Sequence, residues 1–291
     1  MHYTGTLYRN PYAPPSPLLE ITQGCTHNKC KFCNMYKDIP FRMSPMEWIE
    51  EDVQEIAHYE PHTTRLQLIG ADPFVLSFDR MKAICDVIHK YLPNVNTMTM
   101  AARVTNIKNK TVDQLKELRK LGITEVYLGV ESADDWTLDR IQKGYHASDI
   151  LEQVKKLDQA GIAYWLTFLN GVAGKSHSHE HAKNSAKIFN QLNPLVVGTS
   201  GLTLFPDTEL SEEAKRGEFD PLSEKEMLEE LKIFLENLEC DAPLITHHTI
   251  AMNLSGNFLE NKDKILKSLQ YTIDNIDEQK LTNFRNNKRT L

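Results

Sequence analysis

Three of the five cysteines in this chain lie within nine positions, in the segment ITQGCTHNKCKFCNMY. Four residues separate Cys25 from Cys30, and two residues separate Cys30 from Cys33. The other two cysteines, Cys85 and Cys240, are isolated in apolar stretches. Thiolates are ligands for soft metals such as zinc and for iron–sulfur clusters. The spacing therefore indicates a metal centre on one short loop.

Two kinds of metal centre fit these residues. A structural zinc site has four ligands, so zinc would need a histidine such as His27 in addition to the three cysteines. An iron–sulfur cubane held by three cysteines leaves one iron without a protein ligand, and a small molecule can bind there. Phe32, next to the last cysteine, would then help to exclude water. The residues alone leave both possibilities open.

The overall composition limits the range of functions. The chain has 291 residues, 41% of them apolar, and a formal net charge of −7. This acidic balance argues against a nucleic-acid polymer as the substrate. The sequence contains no run of about 18 apolar residues and no signal-peptide pattern at its start, so we expect a cytoplasmic protein that does not enter the membrane. In that reducing compartment, clustered cysteines indicate a metal or catalysis rather than disulfides.

Six apolar segments that alternate with amphipathic helices must position these cysteines. The predicted strands cover 18–22, 65–69, 97–101, 125–130, 163–169 and 195–205. Such a series builds a parallel sheet with helices outside it, either doubly wound or as a barrel. In both cases the chemistry takes place at the carboxyl ends of the strands. The cysteines directly follow the first strand, so we expect them at this end of the sheet.

The pattern divides the chain into three parts. We predict an N-terminal extension at 1–17, a core at 18–205 and a small, mainly helical cap at 206–291. The cap is expected to contain two helices, with a polar loop around THHT between them. The basic tail KLTNFRNNKRTL is interpreted as a frayed terminus.

The cysteine spacing, with an aromatic residue before the last cysteine, resembles the signature of the radical S-adenosylmethionine (SAM) superfamily. The usual signature is Cys-x3-Cys-x2-Cys, so this chain has one extra residue in the first gap. Three further segments occur in the expected order: LIGADP, YLGVESADDWTLDRIQKG and FLNGVAG. The resemblance covers about residues 18 to 205, and it is to the branch that contains elongator-type and methylthiotransferase enzymes. It implies a partial (β/α)6 TIM-like barrel in the α/β class.

The resemblance also implies the chemistry. In this superfamily a [4Fe-4S] cluster cleaves SAM reductively, and the resulting 5′-deoxyadenosyl radical abstracts a hydrogen from the substrate. Such enzymes are oxygen-sensitive and take electrons from a donor such as flavodoxin or ferredoxin. Cys25, Cys30 and Cys33 would ligate the single cluster. The isolated Cys85 and Cys240 would be packing residues.

The resemblance implies roles in SAM binding for individual residues that match the positions of the family motifs. The residues expected to contact SAM are Phe32, Gly70, Ala71, Asp72, Glu131, Ser132, Arg140, Lys143, Gly171 and Gly174. Asp72 would accept the SAM ammonium, although the family has the longer glutamate there. Glu131 would accept the ribose hydroxyls, and Arg140 or Lys143 would pair with the SAM carboxylate. The two glycines would let the backbone approach adenine closely.

The substrate is less well indicated. Polar residues that could contact it are Arg103, Asn170, His247, His248 and Asn253. The acidic balance and the small cap favour a small molecule, and a stand-alone enzyme of this size resembles a lyase that releases queuine base from a queuosine nucleoside or nucleotide. An oxidative or porphyrin-type radical SAM enzyme is the alternative within enzymes. A non-enzymatic zinc or iron–sulfur protein is the alternative outside them.

Overall fold

A computed structural model describes residues 1–10, 12–247 and 257–287 of the chain. In these ranges the strands are β1 (Leu18–Glu20), β2 (Thr22–Gln23), β3 (Arg42–Met43), β4 (Arg65–Ile69), β5 (Thr97–Ala102), β6 (Ile123–Glu131), β7 (Ala163–Asn170), β8 (Val196–Gly201) and β9 (Leu244–His247). The α-helices are α1 (Met46–Tyr59), α2 (Phe78–Tyr91), α3 (Val104–Lys108), α4 (Val112–Lys120), α5 (Asp135–Arg140), α6 (Ala147–Ala160), α7 (Ser178–Phe189), α8 (Glu209–Lys215), α9 (Glu224–Asn237), α10 (Phe258–Asn275) and α11 (Glu278–Asn286).

Seven of the strands form one parallel sheet in the order β1-β4-β5-β6-β7-β8-β9. The order follows the chain, as expected when each strand is connected to the next by a right-handed helical crossover. Strands β2 and β3 form a separate antiparallel pair. Within the described residues, the edge strands β1 and β9 are not paired with each other. The predicted α/β class with a partial, unclosed barrel is therefore confirmed.

The chain divides into two compact units, which we describe separately. The first contains Met1–Asn28, Met35–Gly129 and Glu152–Tyr164, and the second contains Lys29–Asn34, Val130–Leu151 and Trp165–Leu291. In the first unit, β4 pairs with β1 on one side and β5 on the other. Helix α1 packs on α2 and buries Ile49, Val53 and Ile56. Each such aliphatic side chain contributes about 1.5–3 kcal/mol when fully buried.

The core of the second unit is built on β7, β8 and β9. Trp165 is in register with Val196, and Val197 with Leu244. Helix α9 packs on α7, and Phe168 stacks on Phe234 with ring centroids 4.1 Å apart. Phe168 lies on β7 and Phe234 on α9, so this stacked pair packs the helix against the strand.

Two features of the C-terminal part differ from the sequence interpretation. Residues 244–247, expected in a loop, form the seventh strand of the sheet. The tail interpreted as frayed includes most of α11, and Arg285 in it is buried. No helix among the described residues has the length and apolar character needed to cross a membrane.

Candidate active site

Cys25 in the first unit follows a glycine that no other residue can replace without strain. Gly24 has φ +71°, and a Cβ atom there would lie 2.5 Å from the Pro40 carbonyl oxygen and 2.6 Å from that of Ile39. The backbone on the two sides of the cysteine loop therefore approaches too closely for a side chain. The Cys25 thiol itself is free and half-buried.

Cys30 and Cys33 lie in the second unit, on a tight turn. The backbone N–H of Cys33 donates to the Cys30 carbonyl at 3.2 Å. Both thiols are half-buried, and neither forms a disulfide. By contrast, burial raises the pKa of Cys85 to about 12 and the pKa of Cys240 to about 11. Burial therefore disfavours the thiolate form of Cys85 and Cys240.

Asp72, at the end of the LIGADP segment, holds the residue that follows Cys25. Its carboxylate is fully buried and accepts hydrogen bonds from the Thr26 hydroxyl and, at 3.3 Å, from the Thr26 N–H. Burial raises the pKa of Asp72, while hydrogen bonds from Thr26 and Asn106 and the charge of Arg103 act in the opposite direction. A contact between this carboxylate and the SAM ammonium stays a prediction.

The glycine of the same segment is also fixed by close backbone contacts. Gly70 has φ +146°, and a Cβ atom there would lie 2.0 Å from the Thr22 hydroxyl oxygen. Ala71 is the half-buried residue between Gly70 and Asp72. Arg103, after β5, is 8% exposed, and its N–H donates to Asn106 at 2.7 Å. The first unit therefore brings Asp72 together with Thr26. Helix α3 begins just after β5, the strand next to β4.

In the second unit, three predicted residues come together at the end of β6. Glu131 ends the strand with φ +65°, and Lys143 Nζ lies 3.9 Å from its carboxylate. The same ammonium lies 5.6 Å from the ring centroid of Phe32, between Cys30 and Cys33. Lys143 is only 4% exposed. A left-handed backbone at a non-glycine residue is strained and is found preferentially at functional sites.

Thr167, which the sequence did not single out, fixes Glu131. Its hydroxyl donates to the Glu131 carboxylate at 3.1 Å and accepts from the Glu131 N–H at 3.3 Å. Ser132 is fully buried, and its hydroxyl accepts from the Asp134 N–H at 3.1 Å. In this structure Ser132 therefore stabilises the turn after β6, and its predicted SAM contact is not tested.

Arg140 is paired with a carboxylate of the protein. Its guanidinium lies 2.6 Å from Glu213 on α8, and Lys31 lies 2.5 Å from the other oxygen of Glu213. Burial by itself would raise the pKa of Glu213, but hydrogen bonds from Arg140 and Lys31 outweigh it and lower the pKa. Arg140 and Lys143 were both expected to pair with the SAM carboxylate. Arg140 has the shorter ion pair with a carboxylate of the protein.

The glycine turn after β7 packs against α9. Gly171 and Gly174 both have positive φ, +84° and +75°. The Gly171 N–H donates to Glu230 at 2.5 Å, and a Cβ atom at Gly174 would lie 2.9 Å from the Phe219 ring. The close backbone approaches seen at these two glycines are to protein atoms. The predicted approach to adenine stays a prediction.

Several polar residues considered for the substrate have protein partners or lie outside the described ranges. Asn170 is fully buried and, with its amide oriented to satisfy both ends, donates to the Ser200 carbonyl and accepts from the Leu231 N–H, both at 3.2 Å. The backbone of His247 ends β9. His248 and Asn253 lie outside the described residues.

Residues 19–188, more than half of the chain, match the family model of the Radical SAM superfamily. The chain belongs to the radical SAM superfamily. The cofactors of this family are a [4Fe-4S] cluster and SAM, as the cysteine signature predicted.

Individual radical SAM relatives are distant. The chain is 22% identical over 169 residues to the heme chaperone HemW of Bacillus subtilis (strain 168), covering 56% of this chain and 44% of that protein. It is 30% identical over 118 residues to a tRNA uridine(34) acetyltransferase of Methanocaldococcus infernus, covering 40% and 22%. The matched part thus spans less than half the length of these curated relatives.

Two solved structures illustrate the shared fold. Methylornithine synthase (PylB) superposes with a TM-score of 0.53 at 17% identity, covering 89% of this chain and 80% of that one. The archaeal Methanocaldococcus infernus Elp3 superposes with a TM-score of 0.51 at 18% identity, covering 80% and 59%. At such identities these structures show a common fold only.

The three thiols of the cysteine loop suit an iron–sulfur cluster by their chemistry. In residues 1–10, 12–247 and 257–287, no three His, Cys, Asp or Glu side chains are arranged to share one metal ion. A cubane cluster binds each thiolate through a different iron, so its ligands do not share one coordination sphere. Three half-buried cysteines of one loop, none of them in a disulfide, supply the three thiolate donors that such a cluster takes.

Proposed function

We propose that this protein is a radical SAM enzyme that binds its [4Fe-4S] cluster through Cys25, Cys30 and Cys33 and abstracts hydrogen from a small molecule. When bound, the cluster supplies the electron that cleaves SAM to methionine and a 5′-deoxyadenosyl radical. The observation that supports this best is the position of Lys143, a buried ammonium beside both Glu131 and Phe32. It lies in the same unit as the turn that carries Cys30 and Cys33.

The charges beside Phe32 suit the polar ends of SAM. Lys143 is a compact cation that can pair with the SAM carboxylate, and Glu131 is an acceptor for the ribose hydroxyls. The side chain of Glu131 is 18% exposed, so it remains accessible to a ligand. Because Lys143 is nearly excluded from water, its attraction for a carboxylate is stronger than at a surface.

We propose two roles for Asp72, one at Thr26 and one at SAM. Its two hydrogen bonds to Thr26 hold the residue next to Cys25. We therefore propose that Asp72 first orients the cluster loop. Its second role, which the family resemblance implies, is to accept hydrogen bonds from the SAM ammonium. The carboxylate would then accept from SAM and from Thr26 at the same time.

For the substrate, we propose a small molecule, supported by the net charge of −7. Our narrower hypothesis is a lyase that releases queuine base from a queuosine nucleoside or nucleotide. The similarity to a heme chaperone favours a second candidate, a porphyrin-type radical SAM function. We further propose that the enzyme works in the cytoplasm and takes electrons from flavodoxin or ferredoxin.

The first experiment is anaerobic reconstitution with iron and sulfide, followed by dithionite, SAM and mass spectrometry for 5′-deoxyadenosine. We expect the product from wild type, and from Cys240→Ala as the matched control, but not from Cys30→Ala. Queuosine, its 5′-phosphate and a porphyrin are then compared as substrates by deuterium transfer into 5′-deoxyadenosine. Zinc retained in place of a cluster would contradict the proposal.

A further inference from the structure

Helix α8 in the second unit holds the turn between Cys30 and Cys33 at three points, all of them on Lys31. The Leu210 N–H donates to the Lys31 carbonyl at 2.9 Å. The Lys31 ammonium lies 2.5 Å from Glu213 and 3.0 Å from Glu209. On the other side, the Lys31 N–H donates to the Ile141 carbonyl at 3.1 Å. The cysteine turn is thus held through its backbone and through one side chain.

Glu213 differs from Glu209 in burial. The Glu213 side chain is 7% exposed, whereas that of Glu209 is 54% exposed. Glu213 also contacts a second cation, Arg140, at 2.6 Å. One buried carboxylate therefore compensates two cations, and removing it would leave both without their nearest negative charge. An exposed ion pair such as that of Glu209 contributes little by comparison.

We propose that Glu213 is a positioning residue for the cluster, acting through Lys31. It fixes the turn that carries Cys30 and Cys33, and it neutralises the cation that lies between these two cysteines. The part of this proposal that concerns the cluster rests on the proposed function. The potential of an iron–sulfur cluster depends on the charges around it, because reduction adds a negative charge.

The two partners should therefore shift the cluster potential in opposite directions. Glu213→Gln removes a negative charge, so Arg140 loses its carboxylate partner and Lys31 keeps only the exposed Glu209. The reduced cluster therefore becomes more favourable, and the potential becomes less negative. Lys31→Met removes the cation and leaves Glu213 paired with Arg140, so the potential becomes more negative. A loss of structure without an electrostatic role would not produce opposite signs.

The first measurement uses the protein without cluster. Hydrogen–deuterium exchange is followed by mass spectrometry on peptides that cover residues 29–34 and 208–212, whose amides include those of Lys31 and Leu210. In Glu213→Gln we expect exchange in both peptides to accelerate several-fold. In Glu209→Gln, the matched control on the same helix, we expect the wild-type rate. Equal rates in the two variants would overturn the proposal.

The second measurement is an EPR-monitored redox titration of the reconstituted proteins. For Glu213→Gln we expect the ratio of reduced to oxidised cluster at a fixed potential to rise roughly tenfold, which corresponds to about 59 mV for a one-electron couple. For Lys31→Met we expect the ratio to fall, and this variant also serves if Glu213→Gln does not fold. Unchanged potentials in a loaded protein overturn the proposal. A wild type that assembles no cluster instead shows that the proposed function has failed, and the proposal fails with it.

Discussion

The ammonium of Lys143 lies 3.9 Å from the carboxylate of Glu131, and it is nearly excluded from water. Glu131 holds a left-handed backbone conformation, with Thr167 bonded to both its amide and its carboxylate. A cation and an anion are thus fixed next to each other at the carboxyl end of β6. This is the end of a parallel sheet at which ligands bind.

Replacing Lys143 should weaken SAM binding. In Lys143→Met the buried cation is lost, so we expect the Kd for SAM to rise about 10- to 100-fold, or roughly 1.4–2.8 kcal/mol. The measurement is anaerobic equilibrium dialysis on cluster-loaded protein. Lys155→Met removes an exposed lysine and is the matched control, expected to bind like wild type. Equal affinities in the two variants would contradict the role of Lys143.

Gly24 and Gly161 form a natural pair for testing the cysteine loop. Both have φ near +70°, but a Cβ atom at Gly161 meets nothing within 4 Å, whereas one at Gly24 meets two carbonyl oxygens. Gly161→Ala should therefore lose only about 1 kcal/mol of unfolding free energy through backbone strain. Gly24→Ala should lose more and should assemble less iron per chain. Urea denaturation and iron analysis test both expectations, and similar losses in the two variants would argue against the close contact.

How much of the structure can be predicted from the sequence depends on how far apart along the chain the contacting residues lie. The strands were found because segments such as TMTMA combine apolar and β-branched residues and carry no charge, which is typical of buried strands. The cysteine loop and Glu131 were found because their neighbours in sequence carry the family motifs. Glu213 was not found, because its partner Lys31 lies 182 positions away and both residues look like ordinary surface charges in sequence.

The same limit explains the residues whose partners were unexpected. Asp72 matches a family position, but its hydrogen bonds to Thr26 span 46 positions. Glu230 contacts Gly171 and, at 2.9 Å, the fully buried His181. Nothing in the acidic sequence of α9 distinguishes Glu230 from its exposed neighbours. Only the fold shows that Glu230 and Glu224 are the buried carboxylates of this helix.

Lys110 should make the stability of the protein depend on pH. Burial lowers the pKa of Lys110 to about 8, and its ammonium donates to the Phe74 carbonyl at 2.7 Å. An unfolded lysine has a pKa near 10.4, so between about pH 8 and pH 10.4 the unfolded chain binds more protons than the folded one. The unfolding free energy should therefore rise over this interval, by about 3 kcal/mol at most.

The rise is measured by urea denaturation at several pH values. The slope of interest is that of the unfolding free energy against pH. In Lys110→Met we expect the contribution of Lys110 to this slope to disappear, whatever the absolute stability of the variant. Lys120→Met, at an exposed position in the same unit, should keep the wild-type slope. A wild-type slope in Lys110→Met would show that Lys110 does not titrate in this range.

Helix α11 gives order to a segment that the sequence alone indicates as a frayed tail. Arg285 is 8% exposed, and its guanidinium binds both carboxylate oxygens of Glu224 and, at 3.0 Å, the Leu202 carbonyl. Arg216 and Glu218 form a second two-point pair, but both are exposed. Burial rather than geometry should therefore decide how much each ion pair contributes to the free energy of unfolding.

Arg285→Met leaves Glu224 buried without its cation, so we expect a loss of about 3 kcal/mol in the free energy of unfolding. Arg216→Met should remain close to wild type, because water solvates Glu218 once its partner is gone. The double variant Arg285→Met/Glu224→Met removes both buried charges and should recover part of the loss. Urea denaturation of the three proteins measures this. If Arg285→Met is as stable as wild type, α11 does not anchor the end of the chain to Leu202.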